Sequence, residues 1–166
     1  MPAAILLHKF NSKQMIKYLK ISAVLFLLTL FATAKLSAQT NFMADDLIGE
    51  WYVEDNIATV KIFISNGKYF GMTNWMKEPN DAYGKPKLDI NNPDKSKQVK
   101  PLLGAIICSN FSYNGGGVWI DGNIYDARSG KTYSCKITMT DKNTISVRGY
   151  VGISLLGAST IWKRKI

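Results

Sequence analysis

Carboxylates are the side chains that could carry acid–base chemistry in this sequence, because histidine is almost absent. The single histidine, His8, lies in the N-terminal segment, ahead of an apolar run. The rest of the chain therefore lacks the means for Ser-His-Asp or Cys-His catalysis and for the usual zinc sites. Asp89, Asp94, Asp121 and Asp126 leave a carboxylate-based hydrolase open as a reaction class. We interpret these aspartates first as turn and cap residues, which aspartate favours.

Two cysteines, Cys108 and Cys135, are the other reactive side chains. An oxidising compartment would favour a disulfide between them. If the strands predicted at 101–111, 122–126 and 131–140 are sequential neighbours, a whole strand separates the cysteines by about 9–10 Å. A disulfide needs Cα atoms within about 7 Å. We therefore predict two buried free thiols, and we predict no metal site and no cofactor.

Lys136 and Arg148 are predicted to face each other on neighbouring strands. Such a like-charge pair costs stability unless an anion lies nearby. A carboxylate such as Glu50 or Asp126, or plain solvation, would compensate the charge. The alternative is that the pair binds an anionic ligand.

Aromatic side chains are numerous for a domain of this size. Most are expected to be core, but an eight-stranded barrel can hold one small ligand against aromatic walls. The residues that we predict to bind a ligand are Tyr69, Trp75, Trp119, Tyr125, Tyr133, Arg148 and Tyr150.

The N-terminus has the charge and hydropathy pattern of a secretory signal peptide. Lysines precede an apolar run at 21–34, and Ser37 and Ala38 then lead into polar sequence at Gln39. The run is shorter than the roughly 18 residues of a spanning helix. We predict a signal peptide at 1–38 and an exported domain at 39–166, periplasmic or extracellular and without stable membrane insertion.

The net charge of +9 is largely a property of that leader. Residues 1–38 carry 5 of the 21 basic residues and none of the 12 acidic ones, which leaves 16 against 12, or +4, from Gln39 onward. A nucleic-acid partner is therefore not predicted.

The first half of the exported domain alternates like half-buried antiparallel strands at 47–55, 59–65 and 69–76. Asn66-Gly67 predicts a type I′ hairpin, because both central positions of that turn need φ > 0. The resulting register pairs Ile64 with Tyr69 and Ile62 with Gly71. It places on one face the side chains of Val60, Ile62, Ile64, Tyr69 and Trp75.

A long polar loop is predicted at 77–100. Asn92, followed by proline, should cap one short helical turn within it. Loops of this length are usually functional or disordered. We expect its polar residues to lie near a barrel end, beside the strand at 122–126 or beside Arg148. These polar loop residues are Asp89, Asn92 and Asp94.

In the second half of the exported domain, the pattern predicts five more strands, at 101–111, 122–126, 131–140, 145–150 and 159–164. A turn at Asp141 to Asn143 pairs Met139 with Ile145 and Ile137 with Val147. Eight antiparallel strands close into a barrel or stack as a sandwich. We predict an all-β, eight-stranded, up-and-down barrel, because closure removes edges that this sequence does little to protect.

Closure would make the first and last strands neighbours. Trp51 is then expected close to the strand that holds Trp162 and Arg164, and the guanidinium of Arg164 can stack on the indole. We predict structural roles for these three residues.

Several motifs resemble those of a bacterial family of exported proteins, catalogued as domain of unknown function 2147. The motifs are Asp89-x-x-Asn-Pro-Asp94, Lys100-Pro-Leu-Leu-Gly104, Gly122 to Asp126, Gly130 to Tyr133, and Val147 to Leu155. The resemblance implies a lipocalin-like (calycin) barrel, in which Gly49-x-Trp51 looks like the lipocalin first-strand motif and gives Gly49 a structural role. It implies no activity, and the fold suggests by analogy the binding of a small apolar molecule.

The function that we predict is binding of a small hydrophobic or amphipathic ligand in the barrel, without catalysis. A structural or interaction protein of the cell envelope, with a barrel filled by its own side chains, is the alternative. A carboxylate-based hydrolase is the third hypothesis. The ligand-binding hypothesis requires an interior pocket of about 300 Å³ or more.

Overall fold

Eight antiparallel strands build the part of the chain that the structure describes, and each is joined to the next along the chain. The computed structural model describes residues 41–166, and the predicted signal peptide lies outside the described residues. Short 3-10 helices at Ala44–Leu47 and Glu54–Asn56 flank the first strand. In the described part, no helix is long and apolar enough to cross a bilayer. The strands are β1 Gly49–Tyr52, β2 Ala58–Ser65, β3 Lys68–Met76, β4 Ile106–Tyr113, β5 Val118–Asp126, β6 Lys131–Asp141, β7 Thr144–Tyr150 and β8 Gly157–Arg164.

The sheet closes on itself, because β1 pairs with both β2 and β8. This closed antiparallel order confirms the predicted eight-stranded up-and-down barrel. The predicted registers are also observed, with Ile64 opposite Tyr69 and Met139 opposite Ile145. Tight turns determine these registers locally, since a slip of one residue would turn every side chain to the other face.

The shared face predicted for β2 and β3 is wrong at Trp75 alone. Ile64 and Trp75 are 42% and 41% exposed, whereas the other three members are buried. Ile64 stands opposite the buried Tyr69, on the predicted face, and is exposed because it lies at the hairpin end, next to the turn. The register shifts between the pairs made by Thr73 and Trp75, which leaves Asn74 as an extra residue. An extra residue reverses the in–out alternation beyond it, so Trp75 points to solvent.

The connection between β3 and β4 is longer than predicted. Residues 101–105, predicted as strand, belong to the loop, where Pro101 forms an isolated bridge with Leu88 and Gly104 has φ +87°. The Leu102 N–H donates to the Lys87 carbonyl within the loop, at 2.9 Å, and the strand begins only at Ile106. Asn92 Oδ1 accepts the predicted capping hydrogen bond from the Asp94 N–H, but consecutive turns stand where the helical turn was predicted.

The connections alternate between two ends of the barrel. The turns at 66–67, 114–117 and 142–143 lie at one end, with the N-terminal segment that precedes β1; we call this the closed end. There Phe42 and Leu47 are buried under the strand ends. The remaining four connections surround the open end. Fully buried side chains fill the closed half, among them Trp51, Ile62, Phe111, Trp119, Ile137 and Ile145.

Cys108 and Cys135 are both buried and unpaired, as predicted. They lie on β4 and β6, and β5 runs between these strands. Burial raises the pKa of the Cys135 thiol to about 12 and that of the Cys108 thiol well above its usual range. Both groups are therefore neutral, weakly polar core side chains.

Candidate functional site

Arg164 joins the first and last strands at the closed end. Its guanidinium carbon lies 4.2 Å from the centroid of the Trp51 ring, the contact expected from the sequence. The same group donates hydrogen bonds to the carbonyl oxygens of Lys142 and Ile48, at 2.8 and 2.9 Å. Gly49 has φ +137°, and a Cβ there would lie 2.7 Å from the Arg164 Nη1 atom. Glycine at this position lets the guanidinium reach the carbonyls.

The open end contains two adjoining depressions of about 360 and 370 Å³, which together we call the mouth. They share Ile124, Asp126, Arg128 and Thr160. Inward side chains of β2, β5, β7 and β8 form an apolar floor, and the polar groups stand at the rim. The floor consists of Val60, Ile124, Val147 and Trp162.

The predicted aromatic ligand residues do not form one site. Tyr69 and Trp119 belong to the closed-half core, with ring centroids 6.2 Å apart. Trp75 lies outside the barrel, edge-on to Tyr52 at 6.4 Å. The three that line the mouth are Tyr125, Tyr133 and Tyr150.

Arg148 holds the β7–β8 loop. Lys136 stands opposite Arg148, as the register predicted. The Arg148 guanidinium donates hydrogen bonds to the carbonyl oxygens of Ser154 and Leu155, at 2.6 and 3.0 Å, and to the Ser159 hydroxyl at 3.1 Å. Backbone carbonyls therefore supply the negative partial charge for which the sequence suggested a carboxylate or an anionic ligand.

The rim of the mouth carries one ion pair. Arg128 Nε lies 3.2 Å from Asp126 Oδ1, and the Ser129 hydroxyl donates to Asp126 Oδ2 at 2.8 Å. Burial opposes ionisation of this carboxyl, but the hydrogen bonds from Ser129 and Arg128 outweigh it and lower the pKa of Asp126. The rim carboxylate is therefore charged at neutral pH.

The predicted polar loop packs against β5, beside the strand at 122–126. Asp89 is 5% exposed and accepts hydrogen bonds at 2.6 Å from both the Tyr125 hydroxyl and the Asn92 amide. Asn92 Oδ1 in turn accepts a hydrogen bond from the Asp94 backbone N–H at 2.9 Å. Burial and the bond to Asp89 raise the pKa of Tyr125 to about 12.

A cleft of about 690 Å³ lies between this loop and the outer surface of β4, β5 and β6; we call it the external cleft. Asp89, Asn92 and Asp94 line it together with Tyr125. The loop motifs and the β5 motif therefore meet outside the barrel, next to the mouth rather than within it.

The candidate carboxylates act as acceptors within the protein. Asp94 Oδ1 accepts from the Ser96 N–H and hydroxyl, at 3.0 and 2.7 Å. Asp89 and Asp126 are likewise engaged, whereas Asp121 lies at a bulge with φ +59°. Within residues 41–166, no group of three or more His, Cys, Asp or Glu side chains is placed to hold a metal ion.

The floor of the mouth was missed from the sequence. Trp162, assigned only a structural role, is 3% exposed and lines the cavity, while its indole N–H donates to Thr160 Oγ1 at 3.0 Å. Val60, Ile124 and Val147 were treated as core or not singled out. The available signal was alternation, because inward positions on the open-end half of each strand must face the mouth.

The chain resembles known proteins in fold and in sequence pattern. A solved structure from the human pathogen Helicobacter pylori, described as belonging to the lipocalin family, superposes with a TM-score of 0.64 at 20% identity, over 72% of this chain and 83% of that one. No curated protein is significantly similar in sequence. Residues 49–164 match the family described as "Uncharacterized protein conserved in bacteria (DUF2147)". The barrel is thus lipocalin-like, and because the match runs from β1 to β8 the chain belongs to the DUF2147 family.

Proposed function

We propose that the protein is exported and binds a small hydrophobic or amphipathic molecule in the mouth of its barrel, without catalysis. The observation that carries this proposal is the apolar-floored cavity of about 360 Å³ at the open end. Small-molecule sites are concave and mostly apolar, with a few polar groups, and occupy about 300–1,000 Å³. The leader-like N-terminus supports export.

The packing of the interior limits the length of such a ligand. A Cβ at Gly122 would overlap the Phe111 ring, so the ring packs directly on the β5 backbone. Phe111 is 1% exposed, and the closed half below the mouth is filled. A short apolar tail therefore reaches Trp162 and stops there. A polar head would lie at the rim, beside the Asp126–Arg128 pair.

A cavity-filling variant tests this site. Gly149 lies on the inner face of β7, and a Cβ there would meet Ile124 at 3.4 Å, an ordinary contact. The side chain of Gly149→Val should therefore occupy part of the mouth. A dansyl-labelled medium-chain fatty acid, excited by energy transfer from tryptophan, would report binding. We expect about tenfold weaker binding, since displacing two buried methylenes at about 0.8 kcal/mol each suffices.

Ser134→Val is the matched control. Ser134 is exposed on the outer face of β6, so the added bulk stays outside the barrel. The control should bind the probe as the parent protein does. Equal binding by Gly149→Val, or no binding by the parent protein, would refute the carrier function.

An interaction protein of the cell envelope is the second candidate. The β7–β8 loop favours it, because four of its apolar side chains are more than 60% exposed: Val151, Ile153, Leu155 and Leu156. Exposed apolar patches mark contact surfaces. Native mass spectrometry of protein purified from its own host separates the candidates. A co-purified small molecule supports the carrier, and a co-purified protein with an empty barrel supports the interaction protein.

A further inference from the structure

The external cleft is a preformed cavity, separate from the mouth. The Asn91 amide donates to the carbonyl oxygens of Ala127 and Arg128, at 3.3 and 3.0 Å, which ties the loop to the β5–β6 turn. Within the loop, the Asp89 N–H donates to the Lys100 carbonyl at 3.0 Å. These bonds hold the loop away from the sheet, so the space of about 690 Å³ between them exists without a ligand.

The floor of the cleft presents polar groups that the protein does not use. Ser109 and Asn123 are cross-strand neighbours on β4 and β5, and Thr132 stands opposite Tyr125. Among the described residues, the side chains of Ser109, Asn123 and Thr132 form no hydrogen bond with the protein. The Lys100 ammonium likewise has no ion-pair partner within residues 41–166.

Two further features complete the chemistry of the cleft. Asp89 is a nearly buried acceptor, and its two hydrogen bonds leave lone pairs on the carboxylate free. Beside these polar groups, the loop and the start of β4 supply apolar side chains that line the cleft: Pro93, Pro101, Leu103, Ile106 and Ile107. A ligand must therefore combine an apolar face with several donors and acceptors.

We propose that the external cleft is a second binding site, for a short saccharide that carries a carboxylate. Sugar hydroxyls both donate and accept, so they match the Asp89 carboxylate as donors and the Asn123 amide as acceptors. The C–H face of a sugar ring packs on the proline and isoleucine side chains. Lys100, at the edge of the cleft, pairs with the carboxylate and distinguishes acidic from neutral sugars. This site does not depend on the function proposed for the mouth.

Titration of the folded protein with digalacturonate and with its neutral counterpart, digalactose, tests the proposal. Backbone amide NMR shifts should change along residues 89–107 and at Asn123, Tyr125 and Thr132. The acidic disaccharide should bind about tenfold more tightly, as expected for one charge-assisted contact. Lys100→Ala should abolish this preference and leave the affinity for the neutral disaccharide unchanged. Asn123→Ala should weaken both.

Lys61→Ala is the matched control, because Lys61 is an exposed lysine on β2, away from the cleft. It should preserve the preference for the acid. The proposal is overturned if millimolar digalacturonate shifts no cleft amide, if the shifts occur at the mouth, or if Lys61→Ala and Lys100→Ala act alike. Gly149→Val should bind the disaccharide normally, so failure at one site is distinguishable from failure at the other.

Discussion

Replacing Trp51 by alanine tests whether the contact between the first and last strands holds the barrel closed. Trp51 is fully buried, and its indole N–H donates to the Leu47 carbonyl at 2.9 Å. Large-to-small substitution of a buried aromatic residue costs about 3–5 kcal/mol. This range includes the stacking contact with Arg164, which is worth about 0.5–2 kcal/mol. We therefore expect the free energy of unfolding to fall by about 3–5 kcal/mol.

Urea denaturation followed by circular dichroism measures this loss. Trp75→Ala is the matched control, since it removes the same side chain from the outer surface. Its edge-on contact with Tyr52 is worth about 0.5–1.5 kcal/mol. A double-mutant cycle with Arg164→Ala should give a coupling energy of about 0.5–2 kcal/mol.

Because Trp51 lies at the closed end, away from the mouth, Trp51→Ala should lower stability without weakening ligand binding. Folded Trp51→Ala protein should bind the dansyl fatty acid within about twofold of the parent protein. Equal destabilisation by Trp51→Ala and Trp75→Ala, or a coupling energy of zero, would refute the closure argument. Selective loss of binding would show that Trp51 serves the ligand site.

Three further predictions concern the frame of the barrel. Gly49→Ala should lower stability by about 1–3 kcal/mol in urea denaturation, because its φ is positive and its Cβ would press on Arg164; an unchanged midpoint would contradict this. Arg148→Gln should speed hydrogen exchange at the amides of the 151–156 loop, and equal exchange in both proteins would show that the guanidinium does not hold the loop. Cys135 should lower the unfolding free energy by about 1.4 kcal/mol per pH unit as pH rises from the ordinary thiol pKa of about 9 toward 12, since the folded state keeps the Cys135 proton that the unfolded state releases, and the buried Cys108 thiol should add to this slope. Cys135→Ala should remove that part of the slope, whereas an unchanged slope would contradict the assignment.

Local signals in the sequence predicted most of the barrel. Asn66-Gly67 and the Asp141–Asn143 turn determine registers because a tight turn admits only a few backbone conformations. Period-two alternation distinguishes the inner face from the outer one, and eight such strands with unprotected edges favour closure. These signals act within one strand or hairpin, so they can be interpreted without knowledge of the rest of the chain.

Features that depend on distant residues were not predictable in this way. The extra residue at Asn74 turns Trp75 outward, although nothing in the alternation marks it. From the sequence, Arg148 could pair with an anion or with a carbonyl oxygen. The β7–β8 loop folds back so that the carbonyl oxygens of Ser154 and Leu155 accept its hydrogen bonds. The position of Pro101 outside the sheet likewise depends on its bridge to Leu88.

The sequence by itself determined the strand count, the main registers, the free thiols and the contact of Arg164 with Trp51, because each follows from local periodicity or from closure. Tertiary structure alone decided where a ligand could bind. The mouth takes Val60, Ile124, Val147 and Trp162 from four strands, and the external cleft lies under a long loop that Asn91 and Asp89 tie to distant parts of the chain. A cavity is the space that packed elements leave between them, and that space is a property of no single segment.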